Sequence, residues 1–199
     1  TIIGKKNVIH TAAGIGEAPQ DMKYKGEPTG LRIGDNNIIR EHVTVHRSNS
    51  MDEDTKIGAS NFFMAHSHVG HNAQVGNESV FANGALVGGH AEIGDKVFLS
   101  GNCAVHQFVR IGELAMMQGN AAVSQDLPPY TIGFGVNKLC GVNVVGLRRS
   151  GFTAEQRQEL HYYYKKIFLE GNSIGKTAQV ALDQAPGDKA RILLEFIAG

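Results

Sequence analysis

An apolar residue recurs at every sixth position, most clearly in residues 75–94, which read Val75-Gly-Asn-Glu-Ser-Val-Phe81-Ala-Asn-Gly-Ala-Leu-Val87-Gly-Gly-His-Ala-Glu-Ile93-Gly94. Apolar residues recur at this spacing of six over sixteen positions: Ile33, Ile39, Val45, Met51, Ile57, Phe63, Val69, Val75, Phe81, Val87, Ile93, Leu99, Val105, Ile111, Met117 and Val123. Since 42% of the chain is apolar, chance would give such a run roughly once in a million tries. A period of six fits neither an α-helix nor an open sheet. It is typical of a left-handed parallel β-helix built from hexapeptides, and we call its inward-facing positions anchors.

A second period of 18 residues predicts that three hexapeptides form one coil of a triangular prism. It is carried by the pairs Ile57-Gly58, Val75-Gly76, Ile93-Gly94 and Ile111-Gly112. We expect each of these glycines at a corner that needs either a positive φ or a close backbone approach. The earlier coils are longer, so we place external insertions near 17–30 and 47–54. Met51, inside the second insertion, is then in phase by accident.

Composition changes along the chain predict three regions. Residues 1–130 form the β-helix, and because the chain opens on an in-phase anchor we expect N-terminal coils to be missing from it. Residues 131–150 form an irregular glycine-rich connector. Residues 151–199 form a small α-helical cap, whose first helix opens with a capping box at Thr153 and Gln156, runs through Leu169 and is closed by Gly171. Shorter helices follow near 174–184 and 188–198.

Overall composition narrows the class of protein. The chain has 199 residues and a net charge of zero, which gives no support for nucleic-acid binding. Cys103 and Cys140 are too few and too widely spaced for a disulfide framework, so we expect a reducing cytosol. No apolar run approaches the length of a transmembrane helix, and no signal peptide is visible.

The coil register brings histidines together at one corner of the prism. His71, His90 and His106 follow the third-face anchors Val69, Val87 and Val105 by two, three and one residues, and His46 joins the same column. His42 and His66 share the preceding corner. Imidazole titrates near neutral pH and can exchange protons, so this column is a candidate reactive surface.

Two other interpretations of the histidines remain open from the residues alone. Identical polar residues of a solenoid can stack as hydrogen-bonded ladders, and the prism would then be a non-catalytic trimeric scaffold. Three histidines could also hold zinc, as in the hexapeptide carbonic anhydrases. No acidic residue stands beside His71, His90 or His106 to support a metal ligand, and we predict no metal site.

Several motifs in this order resemble one known family. They are Gln20-Asp21-Met-Lys23-Tyr24, Ala65-His66-Ser-His68-Val-Gly70-His71-Asn72, Gly88-Gly89-His90, Ala104-Val-His106-Gln107-Phe108, Gln125-Asp126-Leu-Pro-Pro-Tyr130, Gly141-Val-Asn143 and Gly146-Leu-Arg148-Arg149-Ser-Gly151-Phe152. Over nearly the whole chain, this pattern is similar to the UDP-N-acetylglucosamine O-acyltransferases of lipid A biosynthesis.

The resemblance implies an activity and a set of site residues. The enzyme would move a 3-hydroxyacyl chain from acyl carrier protein to the 3-hydroxyl of UDP-N-acetylglucosamine, with His71 as general base and the N–H of Gly89 as oxyanion donor. The nucleotide sugar would be bound by Asp21, Lys23, His68, His90, His106, Gln107, Asn143 and Arg149. The acyl chain would lie in a groove near Met116, Gln118 and Gly119.

The same resemblance implies a cytoplasmic bacterial homotrimer whose sites lie between subunits, with the external loop reaching a corner of another chain. No cofactor is implied beyond the phosphopantetheine thioester of the carrier protein. The chain departs from the family at Asn72, where Asp is usual, at Val145, where Glu is usual, and at Ser150, where Arg is common. These departures leave open a 3-amino sugar nucleotide as acceptor, and a related hexapeptide N-acyltransferase is the other enzymatic alternative.

Overall fold

The computed structural model describes residues 1–170 and 173–199. Its strands are β1 (Ile2–Ile3), β2 (Val8–Ile9), β3 (Gly14–Glu17), β4 (Leu31–Ile33), β5 (Ile38–Ile39), β6 (Thr44–His46), β7 (Thr55–Ile57), β8 (Phe62–Phe63), β9 (His68–Val69), β10 (Gln74–Val75), β11 (Val80–Phe81), β12 (Leu86–Val87), β13 (Glu92–Ile93), β14 (Phe98–Leu99), β15 (Ala104–Val105), β16 (Arg110–Ile111), β17 (Met116–Met117), β18 (Ala122–Val123), β19 (Thr131–Phe134) and β20 (Lys138–Val142). Its helices are α1 (Val144–Arg149), α2 (Ala154–Phe168), α3 (Ile174–Leu182) and α4 (Asp188–Ala198).

Three sheets form the walls of a prism, and successive strands of the chain occupy successive walls. Face A has the order β1-β4-β7-β10-β13-β16, face B the order β2-β5-β8-β11-β14-β17-β19-β20, and face C the order β3-β6-β9-β12-β15-β18. Val75 pairs in parallel with Ile57 on one side and Ile93 on the other, one coil away in each direction. The predicted parallel β-helix and its 18-residue coil are therefore confirmed.

The anchors fill the interior of the prism. Phe63, Val69, Phe81 and Val87 are completely buried, and the rings of Phe63 and Phe81 stack with centroids 4.5 Å apart. Burial of such side chains supplies the main stabilisation of the coil stack, at roughly 1.5–3 kcal/mol each. Met51 is 64% exposed, as expected for a residue that shares the phase by accident.

Close backbone approach, not a positive φ, explains the periodic glycines. An added Cβ at Gly76 would lie 2.9 Å from the carbonyl carbon of Gly94, and one at Gly94 would lie 2.7 Å from the nitrogen of Glu113. The left-handed backbone falls two residues later in each corner, for example at Glu78 (φ 56°) and Lys96 (φ 56°). Only a residue without Cβ lets adjacent coils stack at the glycine positions.

The C-terminal helices pack as a second core at the end of the prism. Leu160, Tyr163, Tyr164 and Ile167 of α2 are buried on one side of the helix. The predicted capping box is present, because the Thr153 side chain accepts from the N–H of Gln156 and the Gln156 side chain accepts from the N–H of Thr153. Gly171, predicted to close this helix, lies outside the described residues.

The region 131–150 is regular, so the prediction of an irregular connector is wrong. β19 continues face B in parallel with β17, and β20 returns antiparallel to β19. Gly135 and Asn137 take φ values of 54° and 51° in the turn between them. These turn residues made the segment look irregular, because a hairpin interrupts the period of six. Asn143 then begins α1.

The outward residues of faces A and B differ in polarity. Face B presents an apolar column of Val8, Ile38, Phe62, Val80, Phe98 and Met116. Face A presents the polar or charged residues Arg32, Lys56, Gln74, Glu92 and Arg110 in its later coils. Along the described part of the chain, none of the helices has the length and apolarity needed to cross a membrane.

Candidate active site

The corner between faces C and A brings two of the predicted histidines into contact. The rings of His71 and His90 meet edge to face with centroids 5.2 Å apart, and the His90 ring stacks on Phe108 at 4.7 Å. This contact arises because the two residues leave the same corner in adjacent coils. His42 and His66 stack in parallel at the preceding corner, with centroids 5.0 Å apart.

An open cleft of about 880 Å³ runs over the outward side of face C and includes this corner. Five of the thirteen predicted site residues line it: His68, His71, Gly89, His106 and Gln107. The lining also includes residues that were not predicted, among them Gln20, Thr44, His46, His66, Gly70, Leu86, Gly88, Ala104, Ala122, Ser124 and Val136. Imidazole, amide and backbone groups thus face the same space, together with small apolar side chains.

Gly89 lies directly against the imidazole of His71. A Cβ at position 89 would stand 2.8 Å from Cε1 and 2.9 Å from Nε2 of His71, so any side chain there would displace the imidazole. Within the described residues, the N–H of Gly89 has no hydrogen-bond acceptor. At the equivalent position of the corner between faces A and B, the N–H of Asn77 donates to Oδ1 of Asp95 at 2.7 Å, whereas the N–H of Asp95, one coil later, has no acceptor among the described residues. The Gly89 amide is therefore available to a ligand in the cleft.

Asn72 and Asp21 both lie close to the corner that holds His71. Oδ1 of Asn72 lies 3.0 Å from Nδ1 of His71. Asp21 accepts a hydrogen bond from the Asn49 side chain at 2.7 Å and another from the backbone N–H of Lys23 at 2.9 Å. These donors, the Lys23 amide foremost, hold the pKa of the Asp21 carboxyl below its usual value, and the nearby His71 adds to the effect.

Burial keeps three other histidines of this cluster neutral. It is the largest cause of a lowered pKa at His46, His68 and His90, and at His68 the pKa falls to about 4. Nδ1 of His68 also lies 2.8 Å from the hydroxyl of Thr44. Neutral imidazoles with one donor and one acceptor nitrogen suit the recognition of sugar hydroxyls and amides.

Other predicted residues lie outside the cleft in this chain. Lys23 is exposed on the external loop, and Arg149 is exposed in the last turn of α1. Asn143 is 8% exposed, and both ends of its amide are used, because Oδ1 accepts from Gly146 and Nδ2 donates to the carbonyl of Leu114.

The predicted acyl-groove residues lie on another side of the prism. Met116 is on the outward side of face B, and Gln118 and Gly119 occupy the corner between faces B and C. The prism itself therefore separates these residues from His71 within one chain.

The external loop makes hydrogen bonds within its own chain. Arg47 donates to the carbonyl of Gly16 at 2.9 Å and to the hydroxyl of Tyr24 at 3.0 Å, which folds the loop back. Asp21 then reaches Asn49 beside its own His71.

Sequence reasoning missed Gln20, Thr44, Ser48 and Asn49. Thr44 precedes the anchor Val45, so the alternation of a strand could have placed it outward on face C. Ser48 and Asn49 lie in the second insertion, where the period of six is broken and no register applies. Among the residues described, no group of three or more His, Cys, Asp or Glu side chains is placed to hold a metal ion.

Comparison with known proteins agrees with the fold. A family model of the bacterial transferase hexapeptide, six repeats, matches residues 54–89. A model described as UDP N-acetylglucosamine O-acyltransferase, domain 2, matches residues 126–199. A solved UDP-N-acetylglucosamine acyltransferase from Bacteroides fragilis has a TM-score of 0.93 at 36% identity, covering 98% of this chain and 77% of that one. The predicted left-handed parallel β-helix with a small helical C-terminus is confirmed.

Two curated relatives are similar over almost the whole chain, and both are named acyl-(acyl-carrier-protein)–UDP-N-acetylglucosamine O-acyltransferase. The protein of Thermodesulfovibrio yellowstonii is 44% identical over 99% of this chain and 78% of its own length. That of Psychromonas ingrahamii is 56% identical over 99% of this chain and 76% of its own length.

The prism and its histidine-lined cleft define a hexapeptide-repeat transferase. Within that class, the chain belongs to the UDP-N-acetylglucosamine O-acyltransferase family, since the similarity covers both the prism and the helical cap.

Proposed function

We propose that this chain transfers a 3-hydroxyacyl group from acyl carrier protein to the 3-hydroxyl of UDP-N-acetylglucosamine, the first step of lipid A biosynthesis. The names of its relatives state the donor and the acceptor. The observation that carries the proposal to this chain is the contact of the His71 imidazole with the backbone of Gly89, whose N–H is free within the described residues.

The two groups divide the chemistry of acyl transfer. Nε2 of His71 takes the proton of the sugar hydroxyl while the oxygen attacks the thioester carbonyl carbon. The N–H of Gly89 donates to the oxyanion of the tetrahedral intermediate. The intermediate then collapses, the carbon–sulfur bond breaks, and the imidazolium returns its proton to the leaving thiolate. A positioned base contributes about 10²–10⁴ in rate, and an oxyanion donor about 10²–10³.

The nucleotide-sugar site is assigned to the predicted polar residues. His68, His90, His106 and Gln107 surround or adjoin the cleft beside His71. Asp21 lies at its edge through the bond to Asn49. Lys23, Asn143 and Arg149 must act from elsewhere: Asn143 begins α1 and so positions Arg149, whose guanidinium suits a diphosphate.

A homotrimer accounts for the separation of these residues. The apolar outward column of face B leaves Val8, Ile38 and Phe98 exposed by 50%, 40% and 38%, which is costly for an isolated chain. If face B of one copy covers face C of the next, three copies close a ring. Met116, Gln118, Gly119 and Arg149 of one copy would then approach the cleft of its neighbour.

The reaction needs no resident cofactor, because proton transfer and oxyanion stabilisation are supplied by the chain. The phosphopantetheine thioester enters as part of the donor substrate. We assign the enzyme to the bacterial cytoplasm, where the carrier protein is loaded and where thiols such as the exposed Cys140 stay reduced.

The acceptor is tested by direct competition. We expect purified protein to transfer 3-hydroxyacyl chains from acyl carrier protein to UDP-N-acetylglucosamine, with activity retained after EDTA treatment. Preference for the 3-amino analogue would move the acceptor to an amine. Loss of activity with EDTA and recovery with zinc would contradict the metal-free mechanism, and no transfer to either sugar would contradict the proposed function.

A further inference from the structure

The general base of this chain is followed by an amide, Asn72, and an amide can face a histidine with either end. Its oxygen would accept a hydrogen bond from a protonated Nδ1 of His71 and leave Nε2 free as the base. Its nitrogen would instead favour the other tautomer, in which Nε2 carries the proton and cannot act as a base. The orientation of Asn72 therefore decides whether His71 can work.

The 47–54 insertion fixes that orientation through Ser48. The Ser48 hydroxyl donates to the carbonyl of Ser50 at 2.9 Å and accepts from the N–H of Ser50 at 2.9 Å. Its single proton is thus used, and the remaining lone pair receives Nδ2 of Asn72 at 2.8 Å. A reversed amide would place the Asn72 oxygen against this lone pair.

Asn49 supplies a second constraint on the same side chain. Its backbone N–H donates to Oδ1 of Asn72 at 3.0 Å, so a reversed amide would set two donors against each other. Ser48 is fully buried and Asn72 is 2% exposed, which prevents water from relieving either mismatch. The backbone of Asn72 is held as well, because its N–H donates to the hydroxyl of the buried Thr55 at 2.7 Å.

We propose that Ser48 and the backbone amide of Asn49 are positioning elements that lock the Asn72 amide, so that His71 carries its proton on Nδ1 and presents Nε2 to the cleft. A carboxylate at position 72 would need no such lock, because both of its oxygens are acceptors. The insertion therefore compensates for the neutral residue beside the base. The role of His71 as base rests on the proposed function, whereas its tautomer does not.

The test is a double-mutant cycle that combines Ser48→Ala with Asn72→Asp. Its two readouts are acyl transfer and ¹⁵N NMR of the histidine rings. We expect the His71 spectrum to show the Nδ1–H tautomer, and Ser48→Ala to populate the other one. We expect Ser48→Ala to lower kcat about tenfold while KM for the nucleotide sugar stays within about twofold. In the Asn72→Asp background, the same substitution should change kcat by less than about twofold.

Ser79→Ala is the matched control. Ser79 is also completely buried, and its hydroxyl accepts from the backbone N–H of Val97. The hydroxyl lies within hydrogen-bond distance of the carbonyls of Gly94 and Asn77, at a corner without His71. An equal fall in kcat for Ser79→Ala, or for Ser48→Ala in both backgrounds, would overturn the proposal. An unchanged tautomer in Ser48→Ala would overturn it too. If the protein transfers no acyl group, the NMR readout still decides the lock.

Discussion

At the scale of single residues, the contact between Gly89 and His71 leaves no room for a side chain. The Cβ of an alanine at position 89 would press on Cε1 and Nε2 of the imidazole at 2.8 and 2.9 Å. The ring must then move away from the position where it meets the substrate. Both proposed catalytic groups, the imidazole of His71 and the N–H of Gly89, therefore depend on the lack of a side chain at position 89.

Gly89→Ala should therefore reduce kcat by about 10²–10³, the usual effect of disturbing an oxyanion donor. Steady-state kinetics with acyl carrier protein and UDP-N-acetylglucosamine measure it. The control is Gly101→Ala, whose Cβ would meet only the carbonyl oxygen of Asn83 at 3.5 Å. Equal activity of the two variants would contradict the contact.

The buried histidines predict how stability depends on pH. Free histidine has a pKa near 6.5, and burial lowers the pKa of His68 to about 4. Between these values the unfolded chain binds more protons than the folded one, so the contribution of His68 is full above pH 6.5 and is lost as the pH falls towards 4. The lowered pKa values of His46 and His90 act in the same direction.

The free energy of unfolding, measured with denaturant at pH 7, 6 and 5, should decrease as the pH is lowered. The decrease should be less steep in His68→Gln. His161→Gln, at an exposed position of α2, is the control and should keep the slope of the intact protein. A slope for His68→Gln identical to that of the control would refute this assignment.

The sequence could place His71 and His90 because each follows a regular anchor by a short, fixed number of residues. It could not place Ser48 or Asn49, because the insertion that holds them has no register. Asn143 was predicted to bind substrate, yet its amide is used to begin α1 and to hold Leu114. A hydrogen bond between residues 29 positions apart leaves no pattern in the sequence.

At the scale of elements, the periodic glycines allow adjacent coils to stack, because they have no Cβ where two coils approach most closely. The hairpin of β19 and β20 escaped prediction for a related reason. The hairpin extends face B, but its residues do not follow the six-residue spacing of the anchors. The sequence pattern therefore ends before the sheet ends. Local signals did predict α2, whose capping box is read directly from residues 153–156.

The capping box offers a test with a matched control in the same helical cap. Thr153→Ala removes a hydrogen bond to the first turn of α2 and should destabilise the fold by about 1 kcal/mol. That corresponds to a fall in Tm of about 2–4 °C for a chain of this size.

Ser173→Ala is the control, because Ser173 stands at the start of α3 but its side chain makes no capping hydrogen bond. It should leave Tm within about 1 °C of the intact protein. Equal shifts in Tm for the two variants, measured by calorimetry, would contradict a stabilising role for the capping box of α2.

At the scale of the whole molecule, the three faces of the prism have different surroundings. Face A is polar and suits water. Face B is apolar on its outward side, and face C carries the cleft. Stacking face B of one copy on face C of another would cover the apolar column and complete the site in a single contact.

Phe98→Asp should therefore break the assembly and abolish activity together, since it places a charge within the apolar column. Light scattering during size exclusion measures the mass. Glu92→Lys, on the outward side of face A, changes charge without touching that column and should remain trimeric and active. A monomeric intact protein that is fully active would contradict the trimer.

The central claim is that His71 is the base of an acyl transfer. The most direct measurement compares single-turnover transfer of a 3-hydroxyacyl chain from acyl carrier protein to UDP-N-acetylglucosamine by the intact protein and by His71→Ala. We predict that the variant folds, binds the nucleotide sugar and is about 10²–10⁴ slower in the chemical step. A His71→Ala protein that transfers the chain at the rate of the intact one would contradict the account.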